Sequence, residues 1–307
     1  MKKNTILLTG ASGFIGSWVT KKLLDSNYNV IATKSPFSEA WRLKRLDKKI
    51  NIKSIDLSNL NLVEKLIKNV KPDVIIHLAT HGVYPHQQSD DDRIVIDNYL
   101  MTANLLSCAV KYDVEKFVNT GSVFEYGSQK KRVSEDEVFL NDILNKYSAV
   151  KMATTALTNS YSSKVRVATL RPFTTYGPWE DESRFVTSTI RRAIDGEQLR
   201  IVKNVIRDFI YVEDVAEAFV KVVETNYQSG EILNIASGQK YRLEDVCKTI
   251  KKITKSNSKI IYDSKYIRKK ESACWANISK AKRLLKWSPK TSINIGIHKT
   301  IDSIKKV

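Results

Sequence analysis

Short apolar runs alternate with amphipathic stretches along the first half of the chain. Ile6–Thr9, Val30–Thr33, Ile52–Ile55 and Val74–Leu78 are rich in aliphatic and β-branched residues and too short for helices, so they predict strands. Between them, Phe14–Leu24 and Leu60–Val70 repeat apolar residues three and four apart, which places them on one face of a helix. The alternation continues with a helix around Ile94–Tyr112, a strand at Lys116–Thr120, a helix from about Asn145 to Ser162 and a strand at Val165–Leu170. Strand and helix in regular alternation predict an α/β fold: a doubly wound parallel sheet with crossover helices.

After Arg171 the pattern loosens. Pro172, Gly177 and Pro178 mark a turn-rich segment, followed by a helix near Phe185–Ile194, a strand at Asp208–Val212, a helix at Val215–Val223, a strand at Ile232–Ile235 and lysine-rich terminal helices. The expected division is a sheet domain over residues 1–172, with a returning segment near 208–236. A smaller, interleaved C-terminal lobe over 173–307 faces the substrate. No internal repeat or low-complexity linker interrupts it.

Composition changes this picture little. At 307 residues and 42% hydrophobic content the chain can bury a large core. Cys108, Cys247 and Cys274 are odd in number and too widely spaced for a metal knuckle or redox pair, so we expect no metal site and a reducing, cytoplasmic setting. The opening MKKNTILLTG carries positive charge, but its apolar run is too short for a signal peptide, and no stretch reaches the length of a membrane span. The formal charge of +18 suggests anionic partners. Its lysines are scattered, however, with no long basic run and no basic–aromatic array, which argues against a nucleic-acid or membrane partner and for a solvated surface biased toward anionic small molecules.

Candidate chemistry begins at Ile6–Gly16, ILLTGASGFIG, where a strand gives way to Gly10, Gly13 and Gly16 and then to a helix. Such a turn can bring a pyrophosphate onto backbone N–H groups at a helix N-terminus. The spacing is G-x-x-G-x-x-G rather than G-x-G-x-x-G, so the stretch alone reads either as a dinucleotide cradle or as a structural turn. In YSAVK, Tyr147 and Lys151 stand one helical turn apart, where a lysine cation would favour the phenolate and ease proton transfer; the same spacing also describes an ordinary surface pair. Ser122 follows a strand's C-terminal end, where ligands sit in open α/β sheets.

Together these stretches resemble a known family. TGASGFIG at Thr9–Gly16, HLA at His77–Ala79, Ser122 with Tyr126-Gly127, YSAVK, RPFTTYGP at Arg171–Pro178 and RDFIYVEDVAEA at Arg207–Ala218 are similar, in order over nearly the whole chain, to the extended short-chain dehydrogenase/reductases. Within these they resemble the nucleotide-sugar epimerase/dehydratase branch, most of all the reductases of nucleotide-linked 4-keto-6-deoxyhexoses. The resemblance implies a Rossmann sheet and a catalytic set of Ser122, Tyr147 and Lys151. It puts Gly10, Gly13, Phe14, Ile15 and Gly16 on the cofactor pyrophosphate, Asp56 and Leu57 beside the adenine, Leu78 and Ala79 along the dinucleotide, and Lys151 also on the nicotinamide ribose. Arg207 would reach the substrate diphosphate. Arg268 is either a second such arginine or a solvated side chain beside Lys269 and Lys270.

Departures from the family pattern narrow the expectation. The two positions after the catalytic hydroxyl, which in 4,6-dehydratases carry polar or acidic residues, are Val123 and Phe124 on the substrate side, so elimination lacks its acid and base. Where NAD-selective members place an acid at the end of the second strand stands Lys34, which suits the 2′-phosphate of NADP, with Ser35 and Arg42 in support; an exposed lysine is the alternative. Thr174 replaces a frequent asparagine on the substrate side. His81 and Tyr84 lie just past a strand end near the substrate pocket, whereas His77 reads as a packed residue. The expected function is NADPH-dependent reduction of the 4-keto group of a nucleotide-linked 4-keto-6-deoxy sugar by a homodimer. The alternatives are a 4-epimerase with retained NAD and a non-catalytic dinucleotide or RNA binder.

Overall fold

The computed structural model of the chain describes residues 4–46, 48–82, 91–137, 139–262 and 273–305. Seven strands form the central sheet, in the order Glu231–Ile235, Arg166–Pro172, Lys116–Thr120, Val74–His77, Thr5–Thr9, Asn29–Lys34 and Asn51–Ser54. Every neighbouring pair is parallel. The chain starts in mid-sheet at Thr5–Thr9, builds outward to Asn51–Ser54, and then crosses back to Val74–His77 on the other side. The reversal leaves a crevice at the C-terminal ends of those two central strands, where open α/β sheets bind ligands.

Helices cover both faces, which explains why the strands read as continuous apolar runs. Side chains alternate between the faces. Ile6 and Leu8 pack with Val19 and Leu23 of helix Phe14–Asp25 and with Val215 and Phe219 of helix Val212–Glu224. Leu7 packs on the opposite face with Val63 and Ile67 of helix Leu60–Val70 and Leu105 and Leu106 of helix Asp91–Lys111. The strand Asn51–Ser54 is exposed throughout, as expected of a sheet edge. A further apolar cluster, including Tyr176, Ile190, Phe209, Tyr211, Ile250 and Ile297, forms beyond the sheet.

Element ends differ from the sequence reading by at most three residues, and Leu60–Val70, Lys116–Thr120 and Phe185–Ile194 coincide with it. Phe209–Tyr211, at the start of the segment near 208–236, pairs with Thr174–Tyr176 in a separate two-stranded ladder, and Phe209 and Tyr211 bury themselves in the outer cluster. Of that segment, helix Val212–Glu224 packs on the sheet and Glu231–Ile235 supplies the seventh strand. Among the described residues, no helix is long and apolar enough to cross a membrane.

Candidate active site

A cavity of about 1200 Å³ lies along the C-terminal ends of the strands. Its floor is the glycine turn. Gly10 has φ +67°, and a Cβ there would lie 2.5 Å from the Ala79 nitrogen. A Cβ on Gly16 would meet the Gly10 carbonyl oxygen at 2.1 Å, so both positions exclude any side chain. The Gly13 N–H donates to the Gly10 carbonyl (3.0 Å), which turns the chain sharply into helix Phe14–Asp25. That helix start carries no side-chain cap and no acidic residue in its first turn, and Gly13, Phe14, Ile15 and Gly16 all line the cavity. Free backbone donors and the positive end of a helix dipole fit a dinucleotide pyrophosphate.

Leu57, Leu78 and Ala79 give this end of the cavity apolar walls, and Asp56, also on the wall, holds the Ser58 N–H and hydroxyl with one carboxylate oxygen (2.9 and 2.7 Å). Lys34 lines the cavity at the end of its strand, and its ammonium donates to the carbonyls of Ser35 and Ser38 (3.0 and 2.8 Å). Ser35, Glu39 and Arg42 share that rim. The Arg42 guanidinium stacks on Trp41, donates to the Trp179 carbonyl (2.9 Å) and reaches the Ser12 carbonyl (3.4 Å). Trp179 in turn stacks on Trp18, with ring centroids 4.7 Å apart. The segment after Pro178 thus clasps the glycine turn, a contact that local sequence does not signal.

Ser122, Tyr147 and Lys151 are buried and line the same cavity. Asn145 caps the helix Lys146–Ser160 by accepting from the Ser148 N–H, so Tyr147 and Lys151 project together from its first turns. The Lys151 ammonium donates to the Thr120 carbonyl at the end of the strand leading to Ser122 (2.9 Å) and lies 5.8 Å from the Tyr147 ring centroid. Burial pulls its pKa down to about 8, against the opposing attraction of Glu125. Ser122 caps a short 3₁₀ helix, Val123–Tyr126, with its hydroxyl accepting from the Phe124 N–H (3.2 Å). Phe124 packs edge-on against Tyr147. His77 is buried with both ring nitrogens facing hydroxyls, of Thr9 (2.8 Å) and Thr102 (3.1 Å); burial, with a smaller contribution from Lys151, drives its pKa down to about 3 and keeps the ring neutral.

Val123, Phe124, Thr174, His81 and Arg207 also line the cavity. Asn98 pins the His81 backbone at both its N–H and its carbonyl (2.9 and 3.0 Å), and the Arg207 guanidinium donates to the Ile206 carbonyl (2.8 Å). Tyr84 and Arg268 lie outside the described residues. Glu180 and Arg184, which the sequence reading passed over, stand on the cavity wall. Glu180 accepts from the Thr187 hydroxyl (2.9 Å) and faces Arg184 at 3.6 Å, and burial pushes its pKa up to about 7. Glu125 was also missed: its carboxylate accepts from the Ser122 N–H (2.7 Å) and pairs with Arg171 (2.9 Å), both side chains being buried.

Known proteins share this architecture. The chain is 29% identical to an uncharacterized UDP-glucose epimerase of Bacillus subtilis over 95% of each chain. It is 27% identical to the CDP-abequose synthase of Salmonella muenchen over 96% of each. The crystal structure of UDP-glucuronic acid 4-epimerase from Bacillus cereus, in complex with UDP-glucuronic acid and NAD, superposes with a TM-score of 0.85 at 27% identity, covering 98% of this chain and 99% of that one. Residues 6–236 match the model of the NAD dependent epimerase/dehydratase family. With the glycine cradle, the buried Tyr147–Lys151 helix and this match over most of its length, the chain belongs to the NAD-dependent epimerase/dehydratase family, enzymes of oxidoreductase type within the extended short-chain dehydrogenase/reductases.

Proposed function

We propose that the protein reduces the 4-keto group of a nucleotide-linked 4-keto-6-deoxy sugar with NADPH, as a cytoplasmic enzyme. The observation that carries this reading is the pairing of a proton relay with an apolar neighbour: Tyr147 and Lys151 line the cavity beside Ser122, while Val123 and Phe124 follow that hydroxyl with no proton donor or acceptor. Glu180, a carboxyl on the same cavity, is engaged with Thr187 and Arg184. Dehydration is therefore disfavoured. A bound nicotinamide dinucleotide would supply the hydride. Tyr147 gives its phenolic proton to the oxygen of the reduced carbonyl, Ser122 orients that oxygen, and Lys151 places positive charge beside the developing phenolate. Arg207 anchors the diphosphate of the substrate, with His81 and Thr174 on the sugar side.

Lys34 supports NADP over NAD: the strand end holds a cation where an acid would favour the free ribose hydroxyls. Its two carbonyl contacts must yield to a 2′-phosphate. A 4-epimerase with retained NAD is the second reading, favoured by the B. cereus epimerase, whose structure holds NAD. Either reading carries a homodimer through helices Asp91–Lys111 and Lys146–Ser160, the first of which exposes Ile96, Tyr99 and Leu100; sedimentation velocity reports the oligomer. Incubating the protein and NADPH with a panel of nucleotide-linked 4-keto-6-deoxyhexoses, and following loss of reduced cofactor, tests the reaction. Interconversion of two 4-epimeric nucleotide sugars with no net consumption of cofactor would replace the reductase by the epimerase.

A further inference from the structure

The segment Thr120–Gly121–Ser122 is held from two sides. On the cavity side Lys151 donates to the Thr120 carbonyl (2.9 Å). On the other, Glu125 accepts from the Ser122 N–H with one carboxylate oxygen (2.7 Å) and from Arg171 Nε with the other (2.9 Å). Gly121 is what lets the carboxylate come so close, since a Cβ there would lie 2.3 Å from Glu125 Oε1. Arg171 is fixed in turn: it stacks on the Tyr126 ring and donates to the Tyr126 hydroxyl (3.0 Å) and the Glu135 carbonyl (3.2 Å). Such an assembly costs desolvation of two charges, and it stands out because it lies directly behind a residue of the proton relay.

We propose that Glu125 is a positioning residue of the relay, whose carboxylate fixes the Ser122 backbone, is itself fixed by Arg171, and supplies the buried negative charge that faces Lys151. The inference rests on the relay assigned above to Ser122, Tyr147 and Lys151. Tyr147 on its own helix and His77 from the neighbouring strand also stand by Lys151, and His77 is neutral at physiological pH because burial takes its pKa down to about 3. Around Glu125 stand Arg171, Tyr126 and, beyond them, Glu135, whose carboxyl burial pushes upward. Glu125 thus opposes the burial that lowers the Lys151 pKa.

The test titrates Lys151 by NMR in the full chain carrying isotope-labelled lysine, its signal identified by its loss in Lys151→Met. Wild type should titrate near 8. Glu125→Gln keeps an acceptor for the Ser122 N–H but loses the charge, and its midpoint should fall by about one pH unit or more. Because that variant leaves Arg171 buried and unpaired, Glu125→Gln/Arg171→Met removes both charges and should keep the lowered midpoint. Glu125→Asp keeps the charge but shortens the arm; it should hold the midpoint near wild type and lower kcat with NADPH affinity unchanged. An unmoved midpoint in Glu125→Gln, or a double variant that returns to the wild-type midpoint, overturns the proposal. The titration needs no substrate, so its failure is distinct from failure of the reductase reading.

Discussion

Replacing Gly16 by alanine should weaken dinucleotide binding by up to about a hundredfold while adding only one methyl group. The Cβ would sit 2.1 Å from the Gly10 carbonyl oxygen and 2.9 Å from its carbon, both main-chain atoms with no rotamer to escape into. Reaching 3.0 Å, the shortest separation that Cβ contacts tolerate, requires the two backbones to part by about 0.9 Å. That movement opens the Gly13-to-Gly10 hydrogen bond and tilts the start of helix Phe14–Asp25, the end assigned here to the pyrophosphate. Overpacking of this kind costs about 1–3 kcal/mol, which as lost binding is about fivefold to a hundredfold in affinity. Fluorescence titration with NADPH and with NADH, alongside thermal melts, should show a loss of roughly that size in affinity and a lower Tm. Gly196→Ala is the control. Its φ of +73° strains any side chain, but nothing lies within 4 Å of the added Cβ, so it should lower Tm slightly and leave cofactor affinity intact. Cofactor affinity within twofold of wild type for Gly16→Ala would refute the cradle.

Tyr147→Phe should reduce kcat by about a hundredfold to ten-thousandfold with cofactor affinity preserved, measured by steady-state turnover and NADPH titration; near-normal turnover would remove the phenol from the reaction. Wild type should bind NADPH more tightly than NADH by a margin that shrinks with added salt, and Lys34→Asp should reverse the order; equal wild-type affinities would count against the 2′-phosphate contact. Burial raises the Glu180 pKa from 4.5 to about 7, so the folded state holds a proton that the unfolded state releases between those values. Its contribution to stability is complete below 4.5 and is lost as the pH rises through 7. Glu180→Gln should therefore gain Tm on wild type over that range, and a constant difference between the two melting curves would exclude this titration.

Local period and turn chemistry determined a large share of the molecule. Each strand and helix of the sheet domain satisfies its hydrogen bonds with residues close in sequence or with a neighbour presenting the same apolar run, so the alternation at Ile6–Thr9, Phe14–Leu24 and Val30–Thr33 was enough to read a doubly wound sheet. The glycine cradle and the Tyr147–Lys151 spacing are equally local, since one is a matter of missing Cβ atoms and the other of a helical turn. What tertiary structure alone decided are contacts whose partners no period links. Glu125 meets Arg171 because the strands Lys116–Thr120 and Arg166–Pro172 lie side by side. Trp179 and Arg42 close over the glycine turn from segments 137 residues apart in the chain. Phe209–Tyr211 has the pattern of a sheet strand, yet it pairs with Thr174–Tyr176, because an apolar stretch joins whichever core the rest of the fold leaves open beside it. Glu180 reads as one more acid among charged neighbours, and only its burial, working against the opposite pull of Arg184 and Thr187, gives it a proton near neutrality, a property of its surroundings rather than of the residue.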